Sequence, residues 1–404
     1  MRRHDRKQTY DLVVLASPHS IKIGNYFEPN HSAEGGDPNV KVIVQPDDGP
    51  SSLLSALKNA KQSVELAIFR FDRSDIETAL KAAVSKGIKV TALIADVNRG
   101  GEKNLRELEM RFLQAGITVA RSARDLIRYH DKLIIIDRRV LFLLSFNFTH
   151  LDIVHSRGFG IVTKNAALVQ EAVKLFEADC ARRPYSASSD TFVVSPANSR
   201  KVLRMFLERA KKQLLIYDPQ ISDKEMISVL RAQAKAGVEI RVIGKIKSGA
   251  ALPVRKLKKM RLHTRTIIRD GRQAFVGSQS LRAAELDSRR EVGLIIREPK
   301  AVKKLLATFE SDWGTSDGEE EKVPKTGNHL TADREEEKAE KAVAVLVHEL
   351  RPLTKTVKKA VRKVVANAGD ELVHDKILKS TVKKVVKKAV KQAVKEAVQE
   401  SQKT

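Results

Sequence analysis

The stretch HDKLIIIDRRVLFLLSFN, residues 130–147, sets a histidine and a lysine one residue apart, then an apolar run, Asp137, Ser145 and Asn147. In an extended chain residues two apart share a face, so His130 and Lys132 point the same way. A group that titrates near neutrality beside a fixed cation suits attack on an anion such as a phosphodiester. A second stretch, HTRTIIRDGRQAFVGSQS (263–280), repeats the spacing with His263, Arg265, Asp270 and Ser278, arginine standing for lysine and Ser280 for asparagine. One histidine per copy fits a two-step reaction. One imidazole attacks phosphorus to form a phosphohistidine; the other protonates the leaving oxygen and then activates water or an alcohol. Lys132 and Arg265 would hold nonbridging oxygens, with Ser145, Asn147 and Ser278 donating hydrogen bonds to the phosphate. For the serines, capping a turn is an equally good reading. Asp137 and Asp270 read as structural acids that pair locally at strand ends.

These residues need a scaffold, and the chain repeats that too. Residues 57–94 align without a gap on 207–244, Ala60-Lys61 falling on Ala210-Lys211 and Gly87 on Gly237. Each copy reads as helix, strand, turn, helix closed at glycine, and strand, an alternating order that predicts layered α/β domains. The first copy is longer near Asn98 to Arg124. The match resumes at SRGFGIV (156–162) against RREVGLI (289–295) and at FEAD (176–179) against FESD (309–312). The chain therefore divides into an N-terminal segment (1–41), repeat 1 (42–190), repeat 2 (191–317) and a charged tail (318–404).

A length of 404 residues with 42% hydrophobic residues supports two substantial cores, and the formal net charge of +25 favours polyanionic partners without choosing among them. The single cysteine, Cys180, excludes an intrachain disulfide and reads as packing. No apolar run approaches the ~20 residues of a membrane span, so a cytoplasmic chain is expected, peripheral to membranes at most. In the tail, Val382, Val385, Val386, Ala389, Val390, Ala393, Val394 and Ala397 form one helical stripe with lysines opposite. Its expected partner is an anionic membrane surface or nucleic acid; pairing with another helix and an inert solvated helix are the alternatives.

His-x-Lys-x4-Asp, followed eight residues after the aspartate by Ser-x-Asn and occurring twice over roughly residues 42–314, resembles the phospholipase D superfamily. The resemblance implies two tandem α/β sandwich domains related by a pseudo-twofold axis, whose motifs meet in one phosphodiester-cleaving site within a monomer, with neither metal nor cofactor. In that family an acidic residue near the place that Glu291 holds here orients a histidine across the twofold, so the resemblance implies that Glu291 is the partner of His130 and His130 the nucleophile. The matching position in the first copy is Gly158, leaving His263 as general acid. Arg265 keeps the charge, but its planar fork is larger than an ammonium, so recognition should survive more easily than rate. The leading expectation is cleavage of, or transfer from, a phospholipid headgroup. The alternatives are a nuclease of the same chemistry and a noncatalytic anion-binding relict.

Overall fold

The run Leu133–Ile136 is apolar at every position because its strand is buried on both faces. In this computed structural model, which describes residues 40–96, 102–247 and 252–318, Leu133 and Ile135 enter one core while Ile134 and Ile136 enter another. A strand lying between two layers gives up polar alternation for a continuous apolar run.

The first half runs β1 (Lys41–Gln45), α1 (Ser51–Asn59), β2 (Ser63–Ile68), α2 (Ser74–Ser85), β3 (Lys89–Ile94), α3 (Glu102–Gln114), β4 (Thr118–Arg121), β5 (Arg128–Tyr129), β6 (Leu133–Ile136), β7 (Val140–Leu144), α4 (His150–Val154), β8 (Ser156–Thr163) and α5 (Ala166–Cys180). The second runs β9 (Phe192–Ser195), α6 (Ser199–Glu208), β10 (Gln213–Ile221), α7 (Lys224–Lys235), β11 (Glu239–Ile246), β12 (Val254–Lys256), β13 (Arg261–Leu262), β14 (Arg265–Arg269), β15 (Gln273–Gly277), α8 (Ala283–Asp287), β16 (Arg289–Ile296), α9 (Pro299–Gly314) and β17 (Asp317–Gly318). The first sheet has the order β1-β8-β7-β6-β2-β3-β4, and the second β9-β16-β15-β14-β10-β11-β12 with β17 beyond. Position by position the two orders coincide, so the duplicated sequence is a duplicated sheet topology. The longer connection of the first copy carries the 13-residue α3, which has no counterpart among the described residues of the second.

Gly87 and Gly237, at φ +79° and +89°, close α2 and α7 in the left-handed conformation that a side chain would strain. The motif aspartates are also left-handed, Asp137 at φ 53° and Asp270 at φ 55°. Asp137 accepts the backbone N–H groups of Lys61, Gln62 and Ser63, and Asp270 those of Lys211, Lys212 and Gln213. Each carboxylate satisfies three donors at the start of the neighbouring strand, at the far end of β6 or β14 from its histidine.

The inner faces of both sheets meet with α5 and α9 in one shared core, including Phe159, Phe176, Phe192, Tyr217 and Phe309, while each half keeps an outer core of its own. Cys180 packs against the shared core, where burial pushes its thiol up to about 12. Two buried ion pairs cross between the halves at matching positions. Arg157 grips Asp312 with two hydrogen bonds of 2.8 and 3.0 Å, and Arg290 meets Asp179 at 2.9 Å. No helix of the described residues is long and apolar enough to cross a membrane. Residues 1–39 and the linker and basic helix expected over 319–404 lie outside the described residues.

Candidate active site

Each catalytic candidate is carried to the opposite half by a two-residue strand. β5 pairs in parallel with the start of β16, and the His130 N–H donates to the Arg290 carbonyl at 2.8 Å. β13 pairs in the same way with β8, and the His263 N–H donates to the Arg157 carbonyl at 3.1 Å. The arginines whose side chains clamp the halves together thus seat the histidines with their main chains.

His130 Nδ1 lies 2.8 Å from Glu291 Oε2, and its ring packs edge-on against Phe69 with centroids 4.5 Å apart. If Nδ1–H is donated to the carboxylate, Nε2 keeps the lone pair that a nucleophile needs. Lys132 Nζ donates to the His130 carbonyl, and Arg265 Nη1 donates to the His263 carbonyl at 2.8 Å. The two cations therefore hold matching places, although their shapes differ.

His263 is not left without an acid. The sequence places Gly158 opposite it, where a Cβ would come within 2.9 Å of the Phe146 ring and force that ring to shift. Asp152 on α4 faces it instead, with Oδ2 3.6 Å from His263 Nδ1. The signal for it was present in the sequence: in the register that resumes after the histidines, Asp152 falls on Glu285, an acid in both copies. Asp152 is held by the Asn147 main-chain and side-chain N–H groups at 2.8 and 2.7 Å and by Arg261 at 2.7 Å. Asn147, expected as a phosphate donor, thus spends amide hydrogen bonding on positioning an acid. The serines are tied to strands as well. Ser145 Oγ accepts the Phe159 N–H at 2.9 Å, and Ser278 Oγ accepts the Val292 N–H at 3.1 Å.

The change from lysine to arginine in the second copy comes with two others. Ser280 replaces the larger asparagine, and Arg265 Nε donates to its hydroxyl at 3.3 Å. Glu285, one methylene longer than Asp152, accepts the Ser280 N–H at 2.6 Å and lies 3.9 Å from Arg265. Burial opposes ionisation of Glu285, but Arg265 and Arg289 outweigh it and hold the carboxyl down to about 2.

Burial governs the remaining charges. It drives both imidazoles well below their ordinary value; Lys132 adds to this at His130, and Asp152 works against it at His263. Burial brings Lys132 down to about 7 against the pull of Glu291, and pushes Glu291 up to about 8 with help from Glu285. A free site of this kind favours fewer buried charges, so His130 is neutral at pH 7 and an incoming phosphodiester anion favours the cations around it. Holding Lys132 here also destabilises the fold. Its folded pKa lies below the unfolded value near 10.4, so the penalty is complete below about pH 7 and fades as pH rises towards that value. Lys132→Met is therefore expected to abolish turnover yet raise the melting temperature by a few °C at pH 6–7, a gain that shrinks by pH 10; thermal melts across pH check this.

Two segments of the chain, 53–180 and 203–313, match the family described as cardiolipin synthase, PLD-like domain. In structure the chain is similar to a polyphosphate kinase from Porphyromonas gingivalis, with a TM-score of 0.59 at 18% identity over 77% of this chain and 55% of that one. It is also similar to a phosphatidylserine synthase from Haemophilus influenzae Rd KW20, with a TM-score of 0.57 at 11% identity over 78% of this chain and 96% of that one. At such identities the likeness is one of fold, and the chain spans about half the length of the kinase. No curated protein matches it in sequence.

Proposed function

The chain belongs to the phospholipase D superfamily, and on that premise we propose that it cleaves phosphodiesters through a phosphohistidine on His130, with a phospholipid as substrate and water or an alcohol as acceptor. The observation that carries this reading is the 2.8 Å contact of His130 Nδ1 with Glu291 from the other half, which fixes the ring; with the proton on Nδ1, Nε2 keeps its lone pair. Nε2 attacks phosphorus in line with the leaving oxygen; the P–N bond forms as the P–O bond breaks, and His263 gives that oxygen a proton. Neutral His263 then takes a proton from water or alcohol, whose oxygen displaces His130. Burial disfavours the imidazolium that the first step needs, but Asp152 and the anionic substrate both favour it, so the acid forms as substrate binds. Lys132 and Arg265 hold the nonbridging oxygens, and Asn147 positions Asp152.

The arginine supports an adapted site rather than a relict, since Ser280 makes room for it and Glu285 balances it. Arg265→Lys is expected to lower kcat about tenfold or more by removing the fork and leaving a gap. Adding Ser280→Asn should recover part of that loss, because it rebuilds the arrangement of the first copy. A rise in kcat for Arg265→Lys alone would speak for drift.

The net charge of +25 favours a second reading, a nuclease of the same chemistry. Purified protein incubated in chelator with phosphatidylcholine, phosphatidylglycerol and labelled single-stranded DNA decides between them. Headgroup release, with transfer to added ethanol, is expected; strand cleavage without headgroup release would establish the nuclease. The tail enters as an anchor, since residues 351–395 hold 14 Lys+Arg against 3 Asp+Glu. Truncation after Gly318 is expected to leave turnover of a soluble diester within about twofold while weakening salt-sensitive cosedimentation with anionic vesicles. Equal cosedimentation of both forms would make the tail an inert appendage.

A further inference from the structure

The second copy carries a cationic cluster that the catalytic account leaves unused. Arg209, Arg269 and Arg297 line a cleft of about 60 Å³ at the Asp270 end of β14, whereas Arg265 stands at the other end of the same strand. Four residues of extended chain separate the two ends by about 13 Å. Arg269 is 9% exposed; its guanidinium lies over the Phe206 ring at 4.3 Å, and Nη1 donates to the Phe206 carbonyl at 2.9 Å. Its Nη2 donates to the Gln273 amide oxygen, so neither contact is with a carboxylate. Among the described residues Arg209 and Arg297 form no ion pair, and Asp190 in the cleft wall forms none either.

Three guanidiniums gathered round one cleft repel one another. Burial lowers the Arg269 pKa, Asp270 opposes this, and Arg209 and Arg297 lower it further. The fold does not require the cluster. The corresponding positions of the first half hold Asn59, Ile136 and Lys164, within the same strand and helix framework. The rest of the wall is largely apolar, with Val202, Met205, Phe206 and Ile295.

We propose that this cleft is a second anion site, separate from the catalytic one, that binds the phosphate of an amphipathic phosphomonoester. The arginine forks meet the phosphate oxygens, for which planar N–H pairs are suited, and the apolar wall receives the start of the hydrocarbon portion. The charge balance favours a dianionic phosphate over a carboxylate: with Asp190 in the wall, three guanidiniums face one carboxylate, and a dianion neutralises the remaining excess of two where a monoanion does not.

The test is titration calorimetry on the full chain carrying His130→Ala, at constant ionic strength, with dioctanoyl phosphatidate below its micellar concentration and with inorganic phosphate. Saturable binding of phosphatidate is expected, with at least tenfold weaker affinity once Arg209→Gln and Arg297→Gln are added. Both arginines are exposed and unpaired among the described residues, so circular dichroism should not change. Inorganic phosphate should bind at least tenfold more weakly than phosphatidate. Equal affinity for the two ligands would overturn the amphipathic assignment. Absence of saturable binding, or affinity unchanged by the two arginine substitutions, would overturn the site.

Discussion

His130→Ala is expected to lower turnover about 10⁴-fold or more, and His263→Ala to do the same on an ester with a poor leaving group, because each imidazole does work the other cannot replace. The two variants should separate on a p-nitrophenyl diester, whose leaving group departs without a proton. His263→Ala should then release one equivalent of nitrophenol rapidly and stall, as the phosphohistidine forms but is not hydrolysed. His130→Ala should release none. The asymmetry follows from the carboxylates: His130 is held by Glu291 at 2.8 Å, while His263 stands 3.6 Å from Asp152, a looser seat for a group whose protonation changes during the cycle. Stopped-flow absorbance reads both amplitudes. A burst in His130→Ala but not in His263→Ala would reverse the assignment.

Asp312→Ala is expected to lower unfolding free energy by roughly 3–5 kcal/mol, since it leaves the Arg157 guanidinium buried without its main partner and deprives the Tyr217 hydroxyl of its acceptor. Turnover should fall too, because Arg157 seats His263 through its carbonyl. The pseudo-symmetric Asp179→Asn should be milder, at about 1 kcal/mol near pH 7. Burial, opposed by Arg290 and helped by Asp131, pushes Asp179 up to about 7. A carboxyl raised in this way stabilises the fold fully below its unfolded pKa and loses that contribution as pH rises through about 7. The asparagine variant should therefore gain on the parent between pH 5 and pH 8. Urea denaturation at those two pH values measures both effects, and equal losses for Asp312→Ala and Asp179→Asn at both would contradict them.

The duplication was legible because its signals are local. Apolar strands, glycine-closed helices and the spacing from histidine to serine lie within a few tens of residues, and the two copies check each other. Asp137 and Asp270 were legible as structural acids because a strand puts them at the far end from the histidines. What was not legible depends on long-range pairing. β5 and β13 have two residues each, too short for any periodicity, yet they deliver both histidines. The matched pairs SRGFGIV/RREVGLI and FEAD/FESD were visible, but not that Arg157 and Asp312, 155 residues apart, and Arg290 and Asp179 join across the halves. The role of Asp152 was not legible because it lies on the short helix before β8, whereas the strand position matching Glu291 holds a glycine packed against Phe146. Arg265 and Ser280 are legible as departures from the first copy, but not that the arginine donates to the serine hydroxyl and lies 3.9 Å from Glu285, since only the fold brings the three together.

The most direct measurement mixes the His263→Ala protein with a radiolabelled diester bearing a good leaving group, quenches in alkali within one turnover, and locates the label by peptide mass spectrometry. Phosphoramidates of histidine survive alkali and are lost in acid, which distinguishes them from serine esters. Label on the peptide containing His130, acid-labile and absent when His130→Ala is added, is the result predicted. Label on any other residue, or steady turnover of the diester with no acid-labile adduct, would contradict the account.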